Sequence, residues 1–217
     1  MSIDAGQLKM ILAELAATIA SHATELGELD RAIGDGDHGI NLSRGFGAVA
    51  EHLDEIAFLP PDKALIEVGK RLVMTVGGAS GPLYGTFFMS LGKALGGSEP
   101  VTRERLFAAL DAAVAAVKAR GKSEVGQKTL LDVLIPVQTE LHAGDADLVR
   151  RLRARAQAAA AATIPMRAQR GRAAFLGERS IGHLDPGARS SQLLIDAVCD
   201  ALSRDAAAAA AEPHRAE

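Results

Sequence analysis

A chain of 217 residues suits one domain, or at most two small ones, and is long enough to bury a sizeable core. Its formal net charge of −3 gives no electrostatic reason to expect nucleic acid or an anionic membrane as a partner. Alanine abounds, aromatics make up 3 %, tryptophan is absent and the lone cysteine, Cys199, sits in an apolar helical pattern. This profile predicts close-packed helices rather than sheet, and a reducing cytoplasm rather than a disulfide framework. No stretch approaches the roughly 18 apolar residues of a membrane span. The N-terminus shows no basic region followed by an apolar run, so export is not expected either.

In chain order, Leu8, Ile11, Leu12, Leu15, Ile19 and Leu26 predict a first helix ending near Leu29. Residues 30–41 interrupt the pattern with Asp30, Asp35 and Asp37 among Gly34, Gly36 and Gly39. Carboxylates this close repel strongly in a partly buried site unless a cation sits among them. Hard oxygen donors favour Mg²⁺ or Ca²⁺ over thiophilic metals. The glycines satisfy GxGxxG in letter only, because a dinucleotide site needs a preceding strand and a helix start free of negative charge. An EF-hand beginning at Asp35 would need glycine and glutamate where Ile40 and Phe46 stand. What remains is a carboxylate loop for one or two Mg²⁺ bridging a nucleotide, or a solvated acidic turn.

Leu42, Phe46, Val49, Leu53 and Ile56 mark the second helix, which Pro60 and Pro61 stop. Leu65, Val68 and Leu72 mark the third. Residues 77–82 form a second glycine-rich turn, leading into a stripe of Leu83, Phe87, Leu91 and Leu95. Thr102 is the expected N-cap of a helix carrying Leu106, Leu110, Val114 and Val117 and closed by Gly121. Another helix is expected over 128–141, kinked at Pro136, and another over 147–163, broken at Pro165. Residues 171–189 read as a long structured loop, after which Ser190 caps a last helix with Leu194, Val198 and Leu202. Residues 1–204 are therefore expected to be a single domain, and the alanine-rich 205–217 a frayed or disordered tail. The expected fold is all-α, an antiparallel up-and-down bundle or barrel of about eight helices. Loops after odd-numbered helices then share one end, gathering 30–41, 77–82, 121–128 and 171–189 around one mouth.

These loops carry polar chemistry. Ala79 and Ser80 lie in a turn that offers amides and a hydroxyl to an anion, or that merely joins two helices. Lys128 and Thr129 open a helix at the same end and could contribute a charge and a hydroxyl, with a surface lysine beside a helix cap the favoured expectation. Arg167, Arg170, Arg172, Arg179 and Arg189 suit phosphate or a solvated basic surface. Asp185, Pro186 and Gly187 signal a turn whose carboxylate could accept from ribose hydroxyls. Beside the triad, His38 could be a metal ligand, a phosphate donor or, with Asp30, Asp35 and Asp37, a catalytic residue. Neutral His38 donating to a phosphate is the expectation, since a hard cation prefers oxygen. His183 is expected to be structural, and the other four histidines to lie on the surface.

With these residues assembled, the chain resembles the L subunit of dihydroxyacetone kinase over residues 8–204. The resemblance lies in Leu29-Asp30 through Gly34-Asp35-Gly36-Asp37-His38-Gly39-Ile40-Asn41, in Gly77-Gly78-Ala79-Ser80-Gly81-Pro82-Leu83-Tyr84-Gly85-Thr86, in Lys128-Thr129-Leu130-Leu131-Asp132, and in Gly171-Arg172 through Asp185-Pro186-Gly187-Ala188. It implies an eight-helix antiparallel barrel with ADP or ATP and two Mg²⁺ at one end. It implies metal ligands at Asp30, Asp35 and Asp37. Nucleotide contacts are implied at His38, Gly39, Ile40, Asn41, Ala79, Ser80, Gly121, Leu130, Arg172, Asp185, Pro186 and Gly187. Leu130 stands where methionine is usual. The related fatty-acid kinase domain usually has threonine in place of His38, so that branch fits less well.

The function so implied is phosphoryl transfer to dihydroxyacetone held by a separate K-type subunit. The nucleotide stays bound and is rephosphorylated by a phosphohistidine carrier of M type, itself charged from phosphoenolpyruvate. The alternatives are an ATP-dependent triose or tetrose kinase of erythrulose type, in which ATP exchanges each cycle, and a nucleotide-sensing regulatory subunit without catalysis.

Overall fold

The apolar stripes of the sequence turn inward around a closed ring of helices. The computed structural model describes residues 5–97, 101–144 and 146–211, with 205–211 as backbone alone. In order come α1 (Ala5–Ser21), α2 (Ala23–Ile33), α3 (His38–Glu51), α4 (Leu53–Ala57), α5 (Pro61–Thr75) and α6 (Ser80–Leu95). There follow α7 (Arg103–Gly121), α8 (Leu131–Leu141), α9 (Leu148–Ala161), a 3₁₀ segment (Arg172–Ser180) and α10 (Pro186–Ala211). No strand occurs among the described residues. α1 packs on α3, α3 on α5, and from α5 each helix packs on its successor until α10 returns to α1. α2 extends the α1 arm and α4 the α3 arm. Eight arms therefore enclose the core, and the all-α expectation is borne out.

Two arms that read as single helices are broken, each at a histidine. His22 Nδ1 lies 2.9 Å from the Thr18 carbonyl, and His52 Nδ1 lies 3.1 Å from the Ala48 carbonyl. Each ring reaches back one turn to a ladder carbonyl; Thr18 still accepts from His22 N–H at 3.2 Å as well, whereas His52 N–H turns to the Val49 carbonyl at 3.2 Å. The next helix restarts on the histidine's own carbonyl, which accepts from Leu26 N–H after His22 and from Ile56 N–H after His52, both at 3.0 Å. Apolar periodicity runs through both breaks unchanged, so pattern alone could not reveal them.

Leu12, Ile19, Leu26, Phe46, Leu72 and Leu131 are fully buried at the centre. Small residues let the arms close tightly: a Cβ on Gly69 of α5 would stand 2.6 Å from the Gly85 carbonyl oxygen of α6. Ala156, Ala159 and Ala160 do the same for α9 in a smaller apolar cluster with Val133 and Val137 of α8 and Ala188 of α10. Cys199 is buried and free, and burial pushes its thiol up to about 11. None of the described helices is long and apolar enough to cross a membrane.

The helix ends explain where the sequence boundaries held or moved. Thr102 caps α7 as expected, its Oγ1 accepting from Arg105 N–H at 3.4 Å. Gly121 is the last residue of α7, and the left-handed turn after it falls on Lys122, at φ 46°. α8 begins at Leu131 instead of Lys128 and continues through Pro136. Ser190 is not the cap of the last helix. Asp185 caps it, Oδ2 accepting from Ala188 N–H at 2.7 Å, and Pro186 takes the first helical position, where its missing N–H costs nothing. The alanine run continues α10 to Ala211, and the remainder of the expected tail, 212–217, lies outside the described residues.

Candidate functional site

At one end of the ring lies an open cavity of about 400 Å³. Its wall contains the starts of four helices: His38 of α3, Ala79 and Ser80 at α6, Leu130 before α8, and Pro186 and Gly187 of α10. Aligned helix N-termini present amide hydrogens and partial positive charge, an arrangement suited to an anion. Ala79 at the head of α6 leaves that helix without a side-chain cap, so its first amides stay available. Arg120, Arg170 and Arg172 add full charges to the same wall.

Opposite this positive field stand Asp30, Asp35 and Asp37, whose carboxylate oxygens lie within 4.8 Å of one another. Asp30, at the end of α2, accepts on Oδ2 from Asp37 N–H at 2.9 Å and His38 N–H at 3.2 Å, fixing the turn into α3. Gly36 adopts φ 80°, which favours glycine. Asp35 forms an ion pair with Arg172, the one cation paired with the cluster among the described residues. Three hard oxygen donors against a single balancing cation fit a divalent metal such as Mg²⁺.

His38 is 8 % exposed and spans the two halves of the cavity wall. Ser80 Oγ lies 3.0 Å from Nδ1, and Ser190 Oγ lies 2.9 Å from Nε2. Ser190 also donates to the Gly187 carbonyl at 3.1 Å, which ties the His38 contact to the first turn of α10. Tyr84 OH closes the relay, 2.7 Å from Ser190 Oγ and 3.0 Å from Ser191 Oγ. Burial holds the His38 imidazole below its ordinary value, against Asp30, Asp37 and the Pro186 carbonyl. Burial likewise pushes the Tyr84 hydroxyl up to about 12. The His38 ring thus bridges Ser80 of α6 and Ser190 of α10, one nitrogen to each.

The far wall is built by Gly121, Thr129, Leu130, Asp185, Pro186 and Gly187. Thr129 Oγ1 accepts from Leu131 N–H at 3.2 Å, and Asp132 Oδ2 accepts from Thr129 N–H at 2.6 Å. Asp132 also accepts from Gly126 N–H, so this buried carboxylate organises the whole turn before α8. Burial pushes the Asp185 carboxyl up to about 7, opposed by the Ala188 amide and the Lys128 ammonium. Lys128 is not on the surface: it is 1 % exposed, and its Nζ donates to the Thr163 carbonyl at 2.7 Å.

Three expected contacts lie outside the cavity lining. Gly39 is buried where α3 crosses α2, Asn41 packs against Gly77 below the α6 turn, and Ile40 is 60 % exposed. Arg189 leaves the basic group altogether, clasping Glu25 of α2 at 2.6 and 3.2 Å. Arg167 and Arg179 are exposed, and His183 contributes its backbone carbonyl to Lys128. Tyr84, Ser190 and Asp132 were missed as site builders. A polar residue at a core position of an apolar helical stripe was the available signal.

Comparison with known proteins agrees with this geometry. The DAK2 domain family matches residues 32–200. The ADP-binding subunit DhaL of phosphoenolpyruvate-dependent dihydroxyacetone kinase 2 from Listeria innocua is 42 % identical over 209 residues, 93 % of this chain and 97 % of the relative. The corresponding ADP-binding subunit from Escherichia coli is 39 % identical over 201 residues, 90 % of this chain and 96 % of the relative. Among solved structures, the dihydroxyacetone kinase of C. freundii in complex with AMP-PNP and Mg²⁺ superposes with a TM-score of 0.73 at 26 % identity, covering 92 % of this chain and 34 % of that one. With a matched family over most of its length and two relatives aligned nearly end to end, the chain belongs to the DAK2-domain family, among the DhaL subunits of dihydroxyacetone kinase.

Proposed function

We propose that this chain is the nucleotide-binding, phosphoryl-transferring subunit of a phosphoenolpyruvate-dependent dihydroxyacetone kinase, working in the cytoplasm. The observation that carries the reading is one cavity in which four helix starts and three arginines face three convergent carboxylates. Such a pairing of anion and cation sites matches a nucleotide polyphosphate with its divalent metal. Asp30, Asp35 and Asp37 would hold magnesium, which would supply positive charge to offset the phosphates. The amides at Ala79 and Ser80 would hold phosphate oxygens, and Arg172, paired with Asp35, would add positive charge beside them. Gly121, Thr129, Leu130 and residues 185–187 hold the nucleoside. Gly39 and Asn41 act from behind by fixing the turns that carry His38 and Gly77.

In this reading the sugar resides on a K-type partner that docks at the mouth. A phosphohistidine carrier reaches the nucleotide through the same opening. Binding should be visible in stability: saturating Mg–ADP at about 100 times its dissociation constant adds roughly 2.7 kcal/mol, and chelation removes most of it. Thermal melts with and without Mg–ADP and EDTA test this. An unchanged melting temperature at excess Mg–ADP contradicts the reading.

A further inference from the structure

Lys128 lines the cavity, but the hydrogen bonds of its ammonium among the described residues run away from the opening, to backbone carbonyls of the interior. Its backbone sits at φ 61°, in the left-handed region, which a residue with a Cβ occupies only when its surroundings hold it there. The hold comes from the side chain. Nζ donates to the Thr163 carbonyl at 2.7 Å and to the His183 carbonyl, with the Ile164 carbonyl at 3.5 Å. Burial draws the ammonium below its ordinary value, while the Asp185 and Asp132 carboxylates pull it back up. A lysine buried in this way is tolerated only when its hydrogens are matched by acceptors.

The groups it touches belong to separate segments. Thr163 and Ile164 follow α9, and His183 lies two residues before Asp185. Neighbouring bonds lock the same junction: Asp185 N–H donates to Thr163 Oγ1 at 3.1 Å, and Gly182 N–H to the Ile164 carbonyl at 2.8 Å. Across the junction, Gly187 faces Leu130, whose backbone nitrogen would stand 3.4 Å from a Cβ placed there. The ammonium thus fastens the start of α10 to the turn before α8. Those two segments form the far wall of the cavity. None of its hydrogen bonds among the described residues reaches α2, α3 or α6, which build the metal and phosphate end.

We propose that Lys128 is the positioning residue of the nucleoside wall, setting how tightly the cavity grips the nucleoside and leaving the polyphosphate end unaffected. This rests on the nucleotide reading of the cavity. The test is calorimetric titration of wild type and Lys128→Met with Mg–ADP and, separately, with magnesium pyrophosphate. For Lys128→Met, ADP affinity should fall by about 30-fold or more, with pyrophosphate affinity within about 3-fold of wild type. Thr163→Val loosens the same junction without removing a charge and should show the same split, so the test stands if Lys128→Met does not fold. Unchanged ADP affinity in the variants, or equal losses for both ligands, overturns the proposal. A wild type that binds ADP but not pyrophosphate also overturns it, because the cavity would not divide in two. A wild type that binds neither ligand contradicts the nucleotide reading itself and this inference with it.

Discussion

Replacing Asp35 or Asp37 with alanine should lower Mg–ADP affinity by about 100-fold or more while leaving the helical circular-dichroism signal unchanged. Each change removes one of three oxygens that converge within 4.8 Å, and the turn itself is fixed elsewhere, by Asp30 on the amides of Asp37 and His38. Without ligand the two variants differ in what they lose. Asp37 has no ion-pair partner among the described residues, so its removal relieves repulsion while losing a carboxylate at the start of α3, and should leave the melting temperature without ligand close to that of wild type. Asp35 loses its pairing with Arg172, but that pair is well exposed, with side-chain accessibilities of 35 % and 63 %, and contributes little. Calorimetry and thermal melts on the same preparations decide it. Wild-type affinity in both variants would remove the triad from the site.

A single methyl group should do comparable damage at Gly39. A Cβ there would stand 2.8 Å from the Gly27 nitrogen and closer still to the Ala23 carbonyl oxygen, both backbone atoms of α2 that cannot swing away. Relief requires α3 to slide off α2, carrying His38 and Asp37 with it. Gly39→Ala should therefore cost roughly 3 kcal/mol or more of stability and weaken Mg–ADP binding in the same protein. Gly47, in the same helix, has nothing within 4 Å of the equivalent position. Gly47→Ala should be neutral or stabilising by up to about 1 kcal/mol, through helix propensity alone. Denaturant unfolding of the pair separates crowding from propensity, and equal midpoints would refute the close crossing.

The helical ring and the mouth were legible because they depend on local signals: apolar periodicity, and the count of loops between helices. The carboxylate loop was legible because like charges and glycines in so short a span are costly without a purpose. What the sequence concealed depends on atoms brought together from afar. Lys128 looks like any surface lysine until the Thr163 and His183 carbonyls close on it from more than thirty residues away. Ser190 has the sequence position of a cap, yet Asp185 and Pro186 begin the helix a turn earlier and turn the serine inward to His38. Gly39, Ile40 and Asn41 share a motif with His38, but helical geometry sends each side chain a different way. One becomes packing, one a support for Gly77, and one faces solvent.

The central claim is that the nucleotide is a resident of this chain and not a passing substrate. A cofactor rephosphorylated in place must stay longer than one catalytic cycle, which requires anchoring at both ends. In the proposed function the triad and the α6 turn would be one anchor and the cavity wall of Leu130 and residues 185–187 the other. The direct measurement is to purify the protein without added nucleotide, denature it, and quantify ADP in the supernatant. The account predicts near-stoichiometric ADP, and activity with a phosphohistidine carrier and K-type subunit far above that with free ATP. An empty protein that turns over free ATP with a K-type subunit would contradict it.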